Sequence, residues 1–267
     1  MGGSWRRHET VVMKATTTNT TVSDRPTLVK RLAAARGKSE LGWLHSRHTF
    51  SFGSYFDPDH MGYRSLRVIN DDVVEAGQGF GEHPHREAEI FSYVIDGELE
   101  HKDNQGNHGV IQPGEVQRMT AGSGIMHSEY NHSKERPLRL LQMWLFANRR
   151  GLDPSWEQHK FGKEERANKL LPVIVPENAN DGQALHIHQD AAIYVSSLMP
   201  GNKVEHKLAK GRKAYVFVIE GRVKLNNGAM ETRDAARVEN ESRLSIQAEK
   251  PTELILLDLP EKYAINN

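Results

Sequence analysis

One pentapeptide occurs twice in variant form: Tyr93-Val94-Ile95-Asp96-Gly97 returns as Phe217-Val218-Ile219-Glu220-Gly221. An apolar, β-rich run that ends in an acidic residue and a glycine reads as a strand entering a turn. Its recurrence predicts two halves of one architecture. Around it the chain reads as short strands separated by turns, with strand candidates over 66–68, 73–74, 90–95, 99–102 and 138–146. Asp96-Gly97 between two of these runs reads as a hairpin, and residues 104–107 as the next turn. Many short strands at even spacing predict an all-β fold of sandwiches or barrels, enclosing a cavity lined by side chains. Residues 148–154 read as the linker between the halves.

Two strings in the first half carry metal-binding chemistry, His83-Pro84-His85 and His127-Ser128-Glu129. Residues two apart on a strand point the same way, so each pair aims both side chains into one space. Three imidazoles and a carboxylate make a ligand set for a divalent transition metal and leave two positions of an octahedral metal open. A structural zinc site would be closed at four ligands and richer in cysteine. Pro84 removes a backbone donor and suits a strand edge, facing away from the imidazoles. The plain alternative is a group of buried, hydrogen-bonding histidines without metal.

The spacing around the pairs is more specific. Gly77, His83, His85, Glu89 and Gly97 are followed by Pro113-Gly114, then Gly124-Ile125-Met126-His127, then Asn131. This resembles the two motifs of the cupin superfamily, with a Glu89–Gly97 gap one residue longer than usual and Gly122 where many cupins carry proline. The stretches 43–53, 55–58, 67–72, 79–85, 121–130 and 141–144 resemble the pirin family, with specific motifs over 42–161. The resemblance implies an all-β bicupin: two jelly-roll-like β-barrels with short helices. It implies the ligands His83, His85, His127 and Glu129, with Glu89 of the generic motif not used. Residues 27–150 would form the metal-binding barrel and 151–267 a degenerate one. Aligning the two pentapeptide glycines puts Lys207 and Ala209 at the positions of His83 and His85. His206 then falls one residue off, on the opposite face, and residues 243–246 stand where the second pair would be. Asn131 is expected to make a turn or backbone hydrogen bond, and Phe80, Met126 and Met143 to pack.

The whole chain bounds the function. Its 267 residues carry zero net charge, which gives no reason to expect direct nucleic-acid binding. There is no cysteine, hence no thiolate site, in keeping with a reducing, cytoplasmic setting. Apolar runs such as Leu254-Ile255-Leu256-Leu257 fall far short of a membrane span of about 20 residues. Residues 15–23 are mostly Thr and Asn, so 1–26 is expected to be a disordered tail. Arg6, Arg7 and the Thr run share features with a transit peptide, but an extended start, with Met13 as an alternative, is the favoured reading. A monomer is expected.

Some pirins resemble quercetin 2,3-dioxygenases in activity. Carried over, this implies one divalent metal, iron(II) first, with manganese, nickel, cobalt, copper and zinc also compatible. The partners would be O₂ and a small aromatic, flavonoid-like substrate. Glu129 would double as the base that deprotonates a flavonol 3-hydroxyl before O₂ adds and carbon monoxide leaves. Other pirins act as non-enzymatic, metal-binding regulators. A cupin isomerase or hydrolase using the metal as a Lewis acid is the third reading.

Overall fold

The computed structural model describes residues 27–179 and 182–266; the tail expected over 1–26 lies outside the described residues. The first strands are β1 (Leu28–Arg31), β2 (Gly37–Glu40), β3 (Leu44–His48), β4 (Leu66–Val74), β5 (Gly79–His85) and β6 (Ala88–Asp96). Next come β7 (Leu99–Asp103), β8 (His108–Ile111), β9 (Glu115–Thr120), β10 (Ile125–Asn131), β11 (Leu138–Phe146) and β12 (Ser155–Lys160). The second half holds β13 (Leu171–Pro176), β14 (Leu185–Ile187), β15 (Ala192–Leu198), β16 (Lys203–Lys207), β17 (Arg212–Glu220) and β18 (Arg222–Leu225). It ends with β19 (Gly228–Glu231), β20 (Ala235–Val238), β21 (Arg243–Ala248) and β22 (Thr252–Pro260). The short helices expected from the resemblance reduce, among the described residues, to one 3₁₀ turn at Ala33–Ala35.

Each half is a seven-stranded sheet facing a four-stranded one, the bicupin architecture. The first pair runs β12-β9-β6-β11-β4-β3-β2 and β5-β10-β7-β8, the second β1-β20-β17-β22-β15-β13-β14 and β16-β21-β18-β19. The halves exchange strands: β1 pairs with β20, and β12 pairs with β9. Each large sheet is therefore completed by a strand from the other side of the linker.

The largest apolar core lies between the two seven-stranded sheets. Phe91, Tyr93, Leu141 and Met143 from the first meet Tyr215, Phe217, Ile255 and Leu257 from the second. Strands of the large sheets are buried on both faces, so they read as continuous apolar runs. Period two still sorts them. On β11, Leu141, Met143 and Leu145 face the other half, while Leu138 and Leu140 join the barrel interior. Asp71 of β4 faces the junction too, held by Arg139 through two 3.0 Å bonds and by Arg233 at 3.2 Å.

Two expectations change. The runs 66–68 and 73–74 are one strand, β4, whose polar middle Asn70-Asp71-Asp72 looks like an interruption in the sequence. β6 and β7 form no hairpin: β6 pairs with β9 and β11, and β7 with β8 and β10. The chain crosses between sheets at Gly97, which has φ 83° and Leu138 Cα 2.8 Å from where a Cβ would stand. Only glycine tolerates both that dihedral and that approach.

Candidate metal centre

The cavity lies inside the first barrel, between β4, β11 and the β5–β10 pair. His83 stands opposite His127 in the ladder, and His85 opposite Ile125. Pro84 lies exposed on the other face of β5, an edge strand, so its missing N–H breaks no inner ladder. The ligand atoms of His83, His85 and His127 lie within 4.8 Å of one another. Their ring centroids are 4.5–4.8 Å apart. Burial, reinforced by the neighbouring imidazoles, pulls His85 down to about 4 and His127 to about 3. Both are neutral near pH 7, as metal ligation requires.

Between neutral imidazoles, the hydrogen-bond partners assign the tautomers. His83 Nδ1 lies 2.7 Å from the Gly81 carbonyl and must donate to it, which leaves Nε2 as a lone pair. His101, from β7, donates Nε2–H to Asp103 at 3.1 Å, with both side chains fully buried. Its Nδ1 therefore accepts from His127 Nδ1, 3.4 Å away. His127 Nε2 is then also a lone pair, 3.0 Å from His83 Nε2. Two lone pairs that face each other at this distance repel unless a cation sits with them. The donor set fits a metal on this ground.

Glu129 is buried and its carboxylate clusters with His127 and His101 rather than with the three-imidazole group. Gln117 Nε2 donates to Oε1 at 2.6 Å and Gln142 Nε2 to Oε2 at 2.7 Å. Trp156 Nε1 holds the Gln117 carbonyl at 2.8 Å, and the Ser92 hydroxyl holds that of Gln142 at 2.9 Å. Both amides are thereby oriented with their N–H groups toward the carboxylate. Each carboxylate oxygen keeps a further lone pair.

The cavity, about 180 Å³, is lined by Phe52, Asn70, Asp72, Phe80, Trp144 and the residues above. Phe52 packs edge-on to Trp144, and Trp144 edge-on to His85. Burial pushes the Asp72 carboxyl up to about 7. Phe80 lines the cavity, Met143 belongs to the core between the sheets, and Met126 stands beside the outward Pro84. Asn131 bonds backbone as expected, donating to the carbonyls of Val74, Glu75 and Arg136. Glu89 is fully buried elsewhere on β6, accepting from Thr120 Oγ1 at 2.9 Å and the His188 amide at 3.3 Å. It lies outside the clustered ligand atoms.

Sequence reasoning missed His101, Asp103, Ser92, Gln117 and Gln142. His101, Asp103 and Gln117 lie on polar strands and carried no signal; for Ser92 and Gln142 the signal available was a polar residue within an apolar run. Their register in the second half shows its meaning. Ser92, Gln117 and Gln142 stand side by side on β6, β9 and β11, and Val216, Ala236 and Leu256 hold the same pairing on β17, β20 and β22. The reading of His206 as outward-facing is corrected. It faces inward, bonding Asp258 at 2.7 Å, opposite Leu244 as His83 is opposite His127. The cause lies in the connection to the next strand: residues 86–87 join β5 to β6, whereas the longer stretch 208–211 joins β16 to β17, so counting back from the two glycines loses register. A shift of one residue reverses parity along a strand.

Comparison with known proteins agrees with this architecture. Residues 29–145 match the family described as Pirin, and 173–259 the quercetinase C-terminal cupin domain. The chain is 42% identical to a quercetin 2,3-dioxygenase of Escherichia coli (strain K12), over 86% of this chain and 97% of that protein. It is 39% identical to a pirin-like protein of Caulobacter vibrioides, over 83% of this chain and 95% of that one. The crystal structure of the bacterial pirin YhhW from Escherichia coli in complex with nickel(II) superposes with a TM-score of 0.83 at 42% identity, covering 87% of this chain and 99% of that one. With identity sustained over nearly the full length of these relatives, and with both barrels present, the chain belongs to the pirin family.

Proposed function

We propose that the protein is a metal-dependent dioxygenase of the quercetin 2,3-dioxygenase type, acting on flavonol-like substrates with O₂. One divalent metal, iron(II) in our reading, is held by His83, His85, His127 and Glu129 in the barrel of residues 27–150. Residues 151–267 form the companion barrel, each half lending the other a strand. The observation that carries this reading is the cluster of three imidazoles, their ligand atoms within 4.8 Å of one another, beside a carboxylate fixed by two amides in an aromatic-walled cavity. The names of relatives and the nickel-bound pirin support it.

When bound, the metal supplies Lewis-acid and redox chemistry for the substrate oxygen and O₂. The protein does the rest. Phe52, Phe80 and Trp144 orient an aromatic ring and exclude water. Glu129 takes the 3-hydroxyl proton on the carboxylate oxygen lone pair that the amides leave open. Addition of O₂ and loss of carbon monoxide then convert the flavonol into an ester. At about 180 Å³ the cavity is smaller than the roughly 300–1,000 Å³ typical of drug-sized ligands, so it encloses part of a three-ring flavonol.

The test is elemental analysis of purified protein followed by aerobic and anaerobic flavonol assays on the same sample. Oxygen uptake matched by carbon monoxide supports the reading. Bound metal without turnover of any flavonol, in iron-loaded protein, rejects it in favour of a regulatory or isomerase role.

A further inference from the structure

Two residues that line the cavity each carry a buried polar atom without a partner, Asp72 Oδ1 and Trp144 Nε1. Several neighbouring polar atoms already have partners. Asn70 Oδ1 accepts from His48 at 2.8 Å, Gln142 bonds Ser92 and Glu129, and Glu129 takes both amides. A buried polar atom without a partner costs about 1–3 kcal/mol, and folded proteins carry few of them. Two in one cavity point to a ligand that completes them.

Their placement describes that ligand. Asn70 of β4 stands opposite Gln142 of β11 at the middle of the wall. Asp72 lies two residues to one side of this point and Trp144 two residues to the other, opposite Val68. At about 3.3 Å per residue, their backbones are roughly 13 Å apart along the strands. An indole N–H can only donate, whereas a carboxyl oxygen accepts from a hydroxyl. The ligand therefore carries a hydroxyl at one end and an acceptor oxygen at the other, with an aromatic body between Phe52 and Phe80.

We propose that Asp72 and Trp144 are the specificity contacts of this cavity: Asp72 binds a substrate hydroxyl other than the one that meets the metal, and Trp144 donates to a carbonyl or ring oxygen. The substrate class is then a polyhydroxylated aromatic, not one with a single hydroxyl. This rests on the dioxygenase reading above. Neither residue belongs to the ligand set, so the contacts are separable from metal binding.

The experiment titrates metal-loaded protein anaerobically with quercetin and with 3-hydroxyflavone, which lacks every hydroxyl but the 3-hydroxyl. Metal content and melting temperature are read on the same preparations. Asp72→Val is expected to weaken quercetin about tenfold and 3-hydroxyflavone little. Asp72→Asn, which keeps a hydrogen-bonding atom, should restore part of the quercetin preference. Trp144→Phe should weaken both ligands alike, since both carry the carbonyl and ring oxygens. Metal content should hold; melting temperature should stay or rise in Trp144→Phe, which removes an orphaned donor, whereas Asp72→Val also gives up the carboxylate's hydrogen bond with Ser46. Quercetin binding left intact by Asp72→Val overturns the role of Asp72, and binding left intact by Trp144→Phe overturns that of Trp144. Loss of both ligands together with a fall in melting temperature in Asp72→Val shows a structural residue and also overturns it. No flavonol binding by the unaltered protein overturns the dioxygenase reading, and this proposal with it.

Discussion

His101 Nδ1 lies 3.4 Å from His127 Nδ1, and between neutral rings Asp103 determines which of the two donates. The carboxylate takes the His101 Nε2–H, so His101 accepts and His127 turns a lone pair to the cavity. Partners of this kind orient metal-binding histidines and raise their basicity.

His101→Phe is expected to weaken metal binding by about 10–100-fold while the fold persists. Phe keeps the stacking on Trp156, where the rings lie 5.1 Å apart at 13°. Competition against a chelator measures the affinity. An unchanged affinity would show that the chain of hydrogen bonds has no hold on His127.

His83→Ala or His127→Ala should abolish tight metal binding and leave the barrel folded. The main core lies between the large sheets, away from these side chains. Circular dichroism that reports global unfolding in either variant would place the imidazoles among the structural residues.

Glu129→Gln tests proton transfer. The amide cannot take a proton near neutral pH, so activity should fall roughly 10²–10⁴-fold if Glu129 is the base. There is a second cost. Gln117 and Gln142 both donate to the carboxylate, and a glutamine oxygen satisfies only one of them. The orphaned donor should cost about 1–3 kcal/mol of stability. Near-full activity with metal retained would leave Glu129 as a ligand alone.

Glu89→Gln should retain metal and change how stability depends on pH. Burial pushes the Glu89 carboxyl up to about 7 in the folded protein, from 4.5. The folded protein holds this proton to a higher pH than the unfolded chain does. Its contribution is complete below about 4.5, declines as pH rises through 7, and is absent above, a change of about 3 kcal/mol. The glutamine variant should match the unaltered protein near pH 4 and exceed it near pH 8 in urea melts. Equal gaps at both pH values would count against a protonated Glu89.

The sequence by itself determined the features that are local. The repeated pentapeptide marks β6 and β17, which hold the same place in their sheets. The pairs 83/85 and 127/129 point inward because alternation along a strand has a period of two. Asn131 follows from its own turn. What the tertiary structure decided is which strands become neighbours. The alternating run across Asp96-Gly97 looks the same whether the chain folds back on β6 or crosses to the other sheet, and the close approach of Leu138 to Gly97 is not written near either residue. The holders of Glu129 lie on β6, β9 and β11, as far as 37 residues away in sequence, so nothing in any one strand announces them. His206 faces the inside of the second barrel because the connection from β16 to β17 is longer than that from β5 to β6, and a shift of one residue inverts facing. The exchange of β1 and β12 likewise depends on pairing across the linker, where local pattern carries no information about partners.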